Sequence, residues 1–134
     1  IAAWSMSHIA GLSLDKYCAI CGKCQNWAKK REEMVKQVRH SAYHIIDYKG
    51  ATNFAIGMAL VRIVGAMLRN EHSVLTVSTY LTGEYGLNDI CLSVPCMLSS
   101  EGIERVLEGD LAEAEKDGLH NSARVLRESV NSLK

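Results

Sequence analysis

The chain has 134 residues, 48% of them hydrophobic, and fifteen basic residues balance fifteen acidic ones to a formal net charge of zero. That balance argues against a nucleic-acid or membrane-surface partner, either of which calls for a basic patch. No run of eighteen apolar residues exists to span a bilayer. The length fits one domain able to bury a core, and a single proline favours long regular elements. Five cysteines, odd in number and clustered, fit a reduced, cytoplasmic chain better than a disulfide framework. The opening Ile1-Ala2-Ala3-Trp4 lacks the basic start of a signal peptide, and a first residue other than Met reads as a fragment or trimmed product.

In residues 1–12, Trp4, Met6, His8 and Ala10 alternate, which predicts a strand ending at Gly11. Leu12 to Gln25 is less regular and carries Cys18-x-x-Cys21-x-x-Cys24. From Trp27 to Tyr48 the spacing becomes helical. Met34, Val35, Val38, Ala42, Ile45 and Ile46 form an apolar stripe, and Lys29, Lys30, Glu33, Lys36 and Arg39 form a solvated face. Gly50 suits the left-handed position after a helix C-terminus, and Thr52 or Asn53 can cap the next helix.

That next helix, Phe54 to Leu68, is apolar all round apart from Arg62, which predicts burial in a core or at a subunit contact. Gly57 and Gly65 cost roughly 1 kcal/mol each against Ala and imply a closely packed neighbouring backbone. Asn70 ends the helix. Val74 to Leu81 alternates and is rich in β-branched residues, hence a strand. Residues 82–89 form a turn-rich connection, and Ile90 to Leu98 is a second strand with Ile90, Leu92, Val94 and Cys96 on one face. Pro95 places that strand at an edge or at a bulge. Ser99 to Gly102 turns into a short strand, Ile103 to Leu107. Asp110 caps a final helix with Leu119, Ala123, Leu126, Val130 and Leu133 on one side. The fold class is α+β, a small antiparallel sheet packed with long helices.

Motif chemistry is sparse. The cysteine triplet resembles part of an iron–sulfur run, but a cluster needs four thiolates, and Cys91 and Cys96 read as core. His40 and His44 share a helix face at metal-ligand spacing, yet no third ligand or intervening glutamate accompanies them. They read as solvated, and no metal is assigned. Gly-x-Gly-x-x-Gly, a Walker loop and Gly-x-Ser-x-Gly are all missing.

The residues do carry a resemblance. Ser41 to Thr52, followed by Asn-Phe-Ala-Ile-Gly-Met-Ala, is similar to the C-terminal domain of bacterial-type L-lactate dehydrogenases, in the lactate/malate dehydrogenase superfamily. The likeness continues through Asn70 to Thr79, Gly83-Glu84-Tyr85-Gly86, Leu92 to Cys96 and Gly102 to Leu107. It covers essentially the whole chain. Lys49-Gly50-Ala51-Thr52 resembles lactate rather than malate enzymes. Ser99-Ser100-Glu101-Gly102 departs from the family's Gly-x-Asn-Gly turn, and Trp27 to Met34 is not distinctive.

This resemblance implies a substrate-side domain whose partner is an N-terminal NAD-binding Rossmann domain absent from this chain. The proton-donor histidine is then expected upstream of Ile1, and so no catalytic residue is assigned within the chain. Missing with it are the aspartate that orients it, the carboxylate-clamping arginine, the mobile-loop arginine and the residues of the fructose 1,6-bisphosphate site. Thr52 and Ala42 match residues lining the pyruvate pocket. Ile56 matches the residue against the nicotinamide ring, and Tyr43 a tyrosine treated in some members as a phosphorylation site. For Thr52 a helix cap, and for Ile56 plain core packing, remain open beside those roles. The implied parent is a cytoplasmic glycolytic homotetramer interconverting pyruvate and L-lactate, and this chain alone would be inactive and bind no NAD. The alternatives are a non-catalytic self-associating domain, or a piece of a malate or 2-hydroxyisocaproate dehydrogenase.

Overall fold

The computed structural model describes residues 1–23 and 26–133. Cys24, the third cysteine of the triplet, lies outside the described residues. The chain divides into two compact units, Ala2–Gly57 and Met58–Lys134, with Ile1 grouped with the latter.

In the first unit the expected strand over residues 1–12 gives way to a 3-10 turn, Trp4–Met6, and a two-residue hairpin. Strands β1 (His8–Ile9) and β2 (Leu12–Ser13) pair antiparallel around Ala10 and Gly11, whose φ values are 51° and 79°. Two consecutive residues at positive φ make the tight turn that matches strand twist, so the alternation reverses on itself instead of extending. Helix α1 (Leu14–Cys21) occupies the segment read as irregular. Asp15 lies in its first turn and Gly22, in the left-handed conformation, closes it with an N–H donated to the Cys18 carbonyl at 3.2 Å. Those end signals were present in the sequence, overshadowed by the cysteine spacing.

Helix α2 (Trp27–Lys49) begins where Asn26 accepts a hydrogen bond from the Lys29 N–H. Its first turns carry a cluster from the stretch that looked undistinguished. Trp4 and Trp27 meet edge to face with centroids 5.8 Å apart. The Arg31 guanidinium lies 5.7 and 5.1 Å from those two rings and pairs with Asp15. Cation–π contact with two indoles ties α1, α2 and the N-terminal turn together. The apolar stripe of α2 is real as a pattern, but Val38 is 73% exposed and Ala42, Ile45 and Ile46 are exposed.

Helix α3 (Asn53–Leu68) also departs from expectation. Only Ala66 in it is buried. Its glycines do not show the close backbone packing that was expected: a Cβ on Gly57 would meet nothing within 4 Å, and the nearest atoms to one on Gly65 belong to the flexible Arg69 side chain.

The second unit holds the core. Strands β3 (Ser73–Thr82), β4 (Asn88–Ser99) and β5 (Gly102–Val106) form an antiparallel sheet in that order, with Leu75 opposite Cys96 and Val77 opposite Val94. Ile90, Leu92, Val94, Cys96 and Leu98 are all buried, as the alternation predicts. Helix α4 (Glu113–Asn131) packs on β4 through buried Leu119 and Ala123, while Leu126, Val130 and Leu133 stay exposed.

Three expectations need correction here. Strand β4 is central, not an edge, and its register shifts fall opposite Leu81/Thr82 of β3 and at Met97/Leu98 against β5, neither of them at Pro95. The proline is tolerated because its carbonyl accepts from the Leu107 N–H at 2.8 Å, so its ring nitrogen faces the side where β5 has run out. The missing donor therefore costs no ladder bond. Cys91 is exposed, not core, since it lies on the solvent face of the same alternation. Asp110 does not cap α4. The helix starts three residues later, where the Glu115 carboxylate accepts from the Ala112 N–H, leaving Leu111 free to be buried.

Arg62, the lone charge of α3, has a partner at the turn into β3. It donates to Glu71 at 2.6 Å and to the Ser73 hydroxyl at 3.1 Å, while Arg69 donates to the other Glu71 oxygen at 2.8 Å. The bonds from Arg62, Ser73 and Arg69 hold the Glu71 carboxyl down at about 2.

Candidate functional site

The corner between α2 and α3 is built by local rules. Gly50 takes φ 74° and donates its N–H to the Ile46 carbonyl at 2.7 Å, closing α2. This left-handed position is the one glycine fills without a Cβ penalty. Ala51 and Thr52 follow, and α3 begins at Asn53. Thr52 is therefore the residue immediately ahead of the helix.

Beside this corner lies an open hollow of about 300 Å³, lined by His44, Ile45, Tyr48, Lys49, Ala51, Thr52, Phe54 and Ala55. All belong to the first unit. Thr52 is half-buried in its wall, whereas Tyr48 and Phe54 stand 86% and 82% exposed. Lys49 is the one permanently charged side chain of the lining. The hollow is apolar for most of its surface, with a hydroxyl, an imidazole and an ammonium available for polar contact.

The residues singled out from sequence fall differently around it. Thr52 lines the hollow; Ala42, Ile56 and Tyr43 do not. Ala42 is exposed on α2, one turn before Ile45, and Ile56 is 58% exposed on α3, next to Ala55 and one turn past Thr52. Tyr43 is exposed, its ring 6.4 Å from that of His40. His40 and His44 do not converge: among the described residues no group of three His, Cys, Asp or Glu side chains is placed to hold a metal ion. Tyr48 and Phe54 are aromatic lining residues that pattern reading did not select, and His44 was weighed there only as a metal ligand.

The geometry defines the class first: an α+β domain whose helix–glycine–threonine–helix corner presents a small polar group at an apolar hollow. The chain belongs to the lactate/malate dehydrogenase family, its residues 1–134 matching the alpha/beta C-terminal domain. An L-lactate dehydrogenase of Treponema denticola is 51% identical over 134 residues, which cover 98% of this chain and 42% of that protein. One from Nitratidesulfovibrio vulgaris strain Hildenborough is 48% identical, over 99% of this chain and 43% of its own length. Among solved structures, the ligand-bound minor L-lactate dehydrogenase of Enterococcus mundtii superposes with a TM-score of 0.91 at 34% identity, covering 100% of this chain and 42% of that one. The chain thus spans less than half the length of the curated relatives it matches.

Proposed function

We propose that this chain is the substrate-side half of a cytoplasmic, NAD-dependent L-lactate dehydrogenase that interconverts pyruvate and L-lactate. The observation that carries the reading is the Lys49-Gly50-Ala51-Thr52 corner opening onto a hollow, in a chain 51% identical from end to end to an L-lactate dehydrogenase. The remaining half would be a Rossmann domain bearing the dinucleotide, the carboxylate-clamping arginine and the proton-donor histidine. In the whole enzyme NAD supplies the hydride carrier.

The residues present fit one part of that task. Ile56 offers an exposed, uncharged surface suited to the face of a nicotinamide ring, and no Gly-x-Gly-x-x-Gly cradle occurs in the chain. Thr52 orients: its hydroxyl can bond a 2-oxo acid while its methyl keeps the wall apolar. Ala42 keeps the neighbouring surface low so that substrate can approach. Reduction needs a proton at the 2-oxo oxygen as well as hydride at carbon, and this half contributes position and exclusion of water rather than either.

On this reading the 134-residue chain mixed with NADH and pyruvate leaves the cofactor absorbance unchanged. Fused behind the cofactor half of the Treponema denticola relative, it oxidises NADH in the presence of pyruvate. Thr52→Val then lowers kcat/KM by roughly fivefold, the worth of one hydrogen bond of ~1 kcal/mol. Turnover by the chain alone would overturn the two-half reading, and a folded fusion inert toward pyruvate would overturn the activity.

A second reading is supported by α3, where Phe54, Met58, Val61 and Leu68 are all well exposed. Such a face is what an oligomer covers, and a homotetramer is the form we assign to the whole enzyme. Sedimentation at several concentrations tests whether this chain self-associates; a monomer at the highest concentration counts against it.

A further inference from the structure

A second concavity lies in the first unit, away from the Thr52 corner. Ala28, Arg31, Glu32, Val35, Lys36 and Arg39 line an open groove of about 480 Å³, with Trp4 as its wall from the N-terminal turn. All of them belong to the unit Ala2–Gly57. The six helical positions follow three- and four-residue steps on one face, so the groove runs along the first half of α2. It is apolar for most of its surface. A mostly apolar concavity of several hundred Å³ with a few polar groups is the usual form of a small-molecule site.

The two ends of the groove differ. Trp4 meets Trp27 and Arg31 beside the first turns of the helix, so the apolar end lies there, with Ala28. Lys36 and Arg39 come two and three turns later, and both are exposed. From Ala28 to Lys36 the groove extends about 12 Å along the helix axis, with half-buried Val35 between them. Arg31 is matched by Asp15 and lies against both indoles, so it fixes the wall without adding free charge. Among the described residues, neither Lys36 nor Arg39 forms an ion pair. Glu32 is the one carboxylate of the lining, which leaves the far end net positive.

We propose that this groove binds an amphipathic anion, an unbranched apolar chain ending in one carboxylate or phosphate head. The chain lies over Ala28 and Val35 against Trp4, and the head meets the Lys36 ammonium and the Arg39 guanidinium. Apolar burial supplies the affinity, and the two cations select an anionic head and set its direction. The same cations repel an ammonium head, and a neutral head leaves them unused. No residue of the Thr52 corner takes part, so this inference stands apart from the dehydrogenase reading.

The chain has two tryptophans. Trp4 lines the groove and Trp27 touches Trp4, so intrinsic fluorescence reports on its apolar end. The 134-residue chain is titrated with octanoate, octyl phosphate, octan-1-ol and octylammonium. The expected result is a saturable fluorescence change with one or both anions, the tighter of which names the head. The alcohol and the amine bind about fivefold more weakly or worse, the upper worth of one exposed charge pair. A fully buried methylene is worth roughly fourfold, so hexanoate, two methylenes shorter in a groove that covers them incompletely, binds about fourfold more weakly than octanoate. Lys36→Glu with Arg39→Glu, both at exposed positions, lowers octanoate affinity by about tenfold with unchanged circular dichroism. Lys36→Gln with Arg39→Gln lowers it by about threefold, and decides the matter should the double reversal unfold the chain. No saturable signal with either anion, an alcohol as tight as octanoate, or folded variants with unchanged affinity would each overturn the inference. None of these outcomes touches the dehydrogenase reading.

Discussion

The two units of this chain use apolar residues in opposite ways. Every buried hydrophobic residue among those described, from Ala66 to Ala123, belongs to the unit that starts at Met58, and none to Ala2–Gly57. Yet α2 has as clear an apolar stripe as β4 has an apolar face. The difference lies in what each pattern finds nearby. Strand β4 is flanked by β3 and β5 and covered by α4, all within the same unit. The α2 stripe and most of α3 meet no such cover, and the candidate site lies on that uncovered side. Amphipathicity therefore states that a face wants burial, without saying by what.

Substitutions can break or sharpen this contrast. Leu98→Ala, at a position with 2% exposure, is expected to cost ~2–5 kcal/mol of unfolding free energy, measured by urea denaturation. Gly57→Ala is expected to stabilise by up to ~1 kcal/mol, because the helix gains propensity and a Cβ there meets nothing. A loss of stability instead would mean that α3 is covered in solution at that point, which the same denaturation series reads out. Val38→Ala, on the open α2 stripe, is expected to change stability by less than ~0.5 kcal/mol in this chain. In the fusion with a cofactor half the cost should rise if that half covers the stripe; an unchanged cost would separate the stripe from any domain contact.

The smallest effect depends on pH and belongs to the α3–β3 turn. Glu71 titrates at about 2 instead of the usual 4.5, so its ion pairs with Arg62 and Arg69 favour the folded state fully above about 4.5. That contribution fades as pH falls from 4.5 toward 2. Thermal unfolding of wild type and Glu71→Gln should differ most above pH 5 and converge in that acidic window. A difference independent of pH would show that the ion pairs carry no stability.

Much of the fold was legible because it rests on local periodicity. The limits of α2, α3 and β3 fall within one residue of expectation, and those of β4 within two, since 3.6-residue and two-residue repeats are written directly in the chain. The Gly50 corner was legible for a local reason too, as a left-handed C-terminus excludes most side chains. The hairpin at Ala10–Gly11 was not, because an alternation looks the same whether the strand continues or folds back. Pro95 misled for a related reason: the sequence reveals a missing N–H but not which way it points. At the site, Thr52, Ala42 and Ile56 were reached through resemblance and only Thr52 lines the hollow; His44 was weighed in the sequence only as a metal ligand, and Tyr48 and Phe54 emerged from the shape of the hollow.

What this sequence determines alone is the limits of α2, α3 and β3 and which of their faces are apolar, while the family of the corner was read through resemblance. The limits and faces follow from dihedral preferences and side-chain spacing within a few residues. Tertiary structure decided which apolar faces are covered, which side of Pro95 lacks a partner and that a hollow opens beside Thr52. Each of these depends on groups distant in the chain or across a turn, and no local repeat encodes that distance.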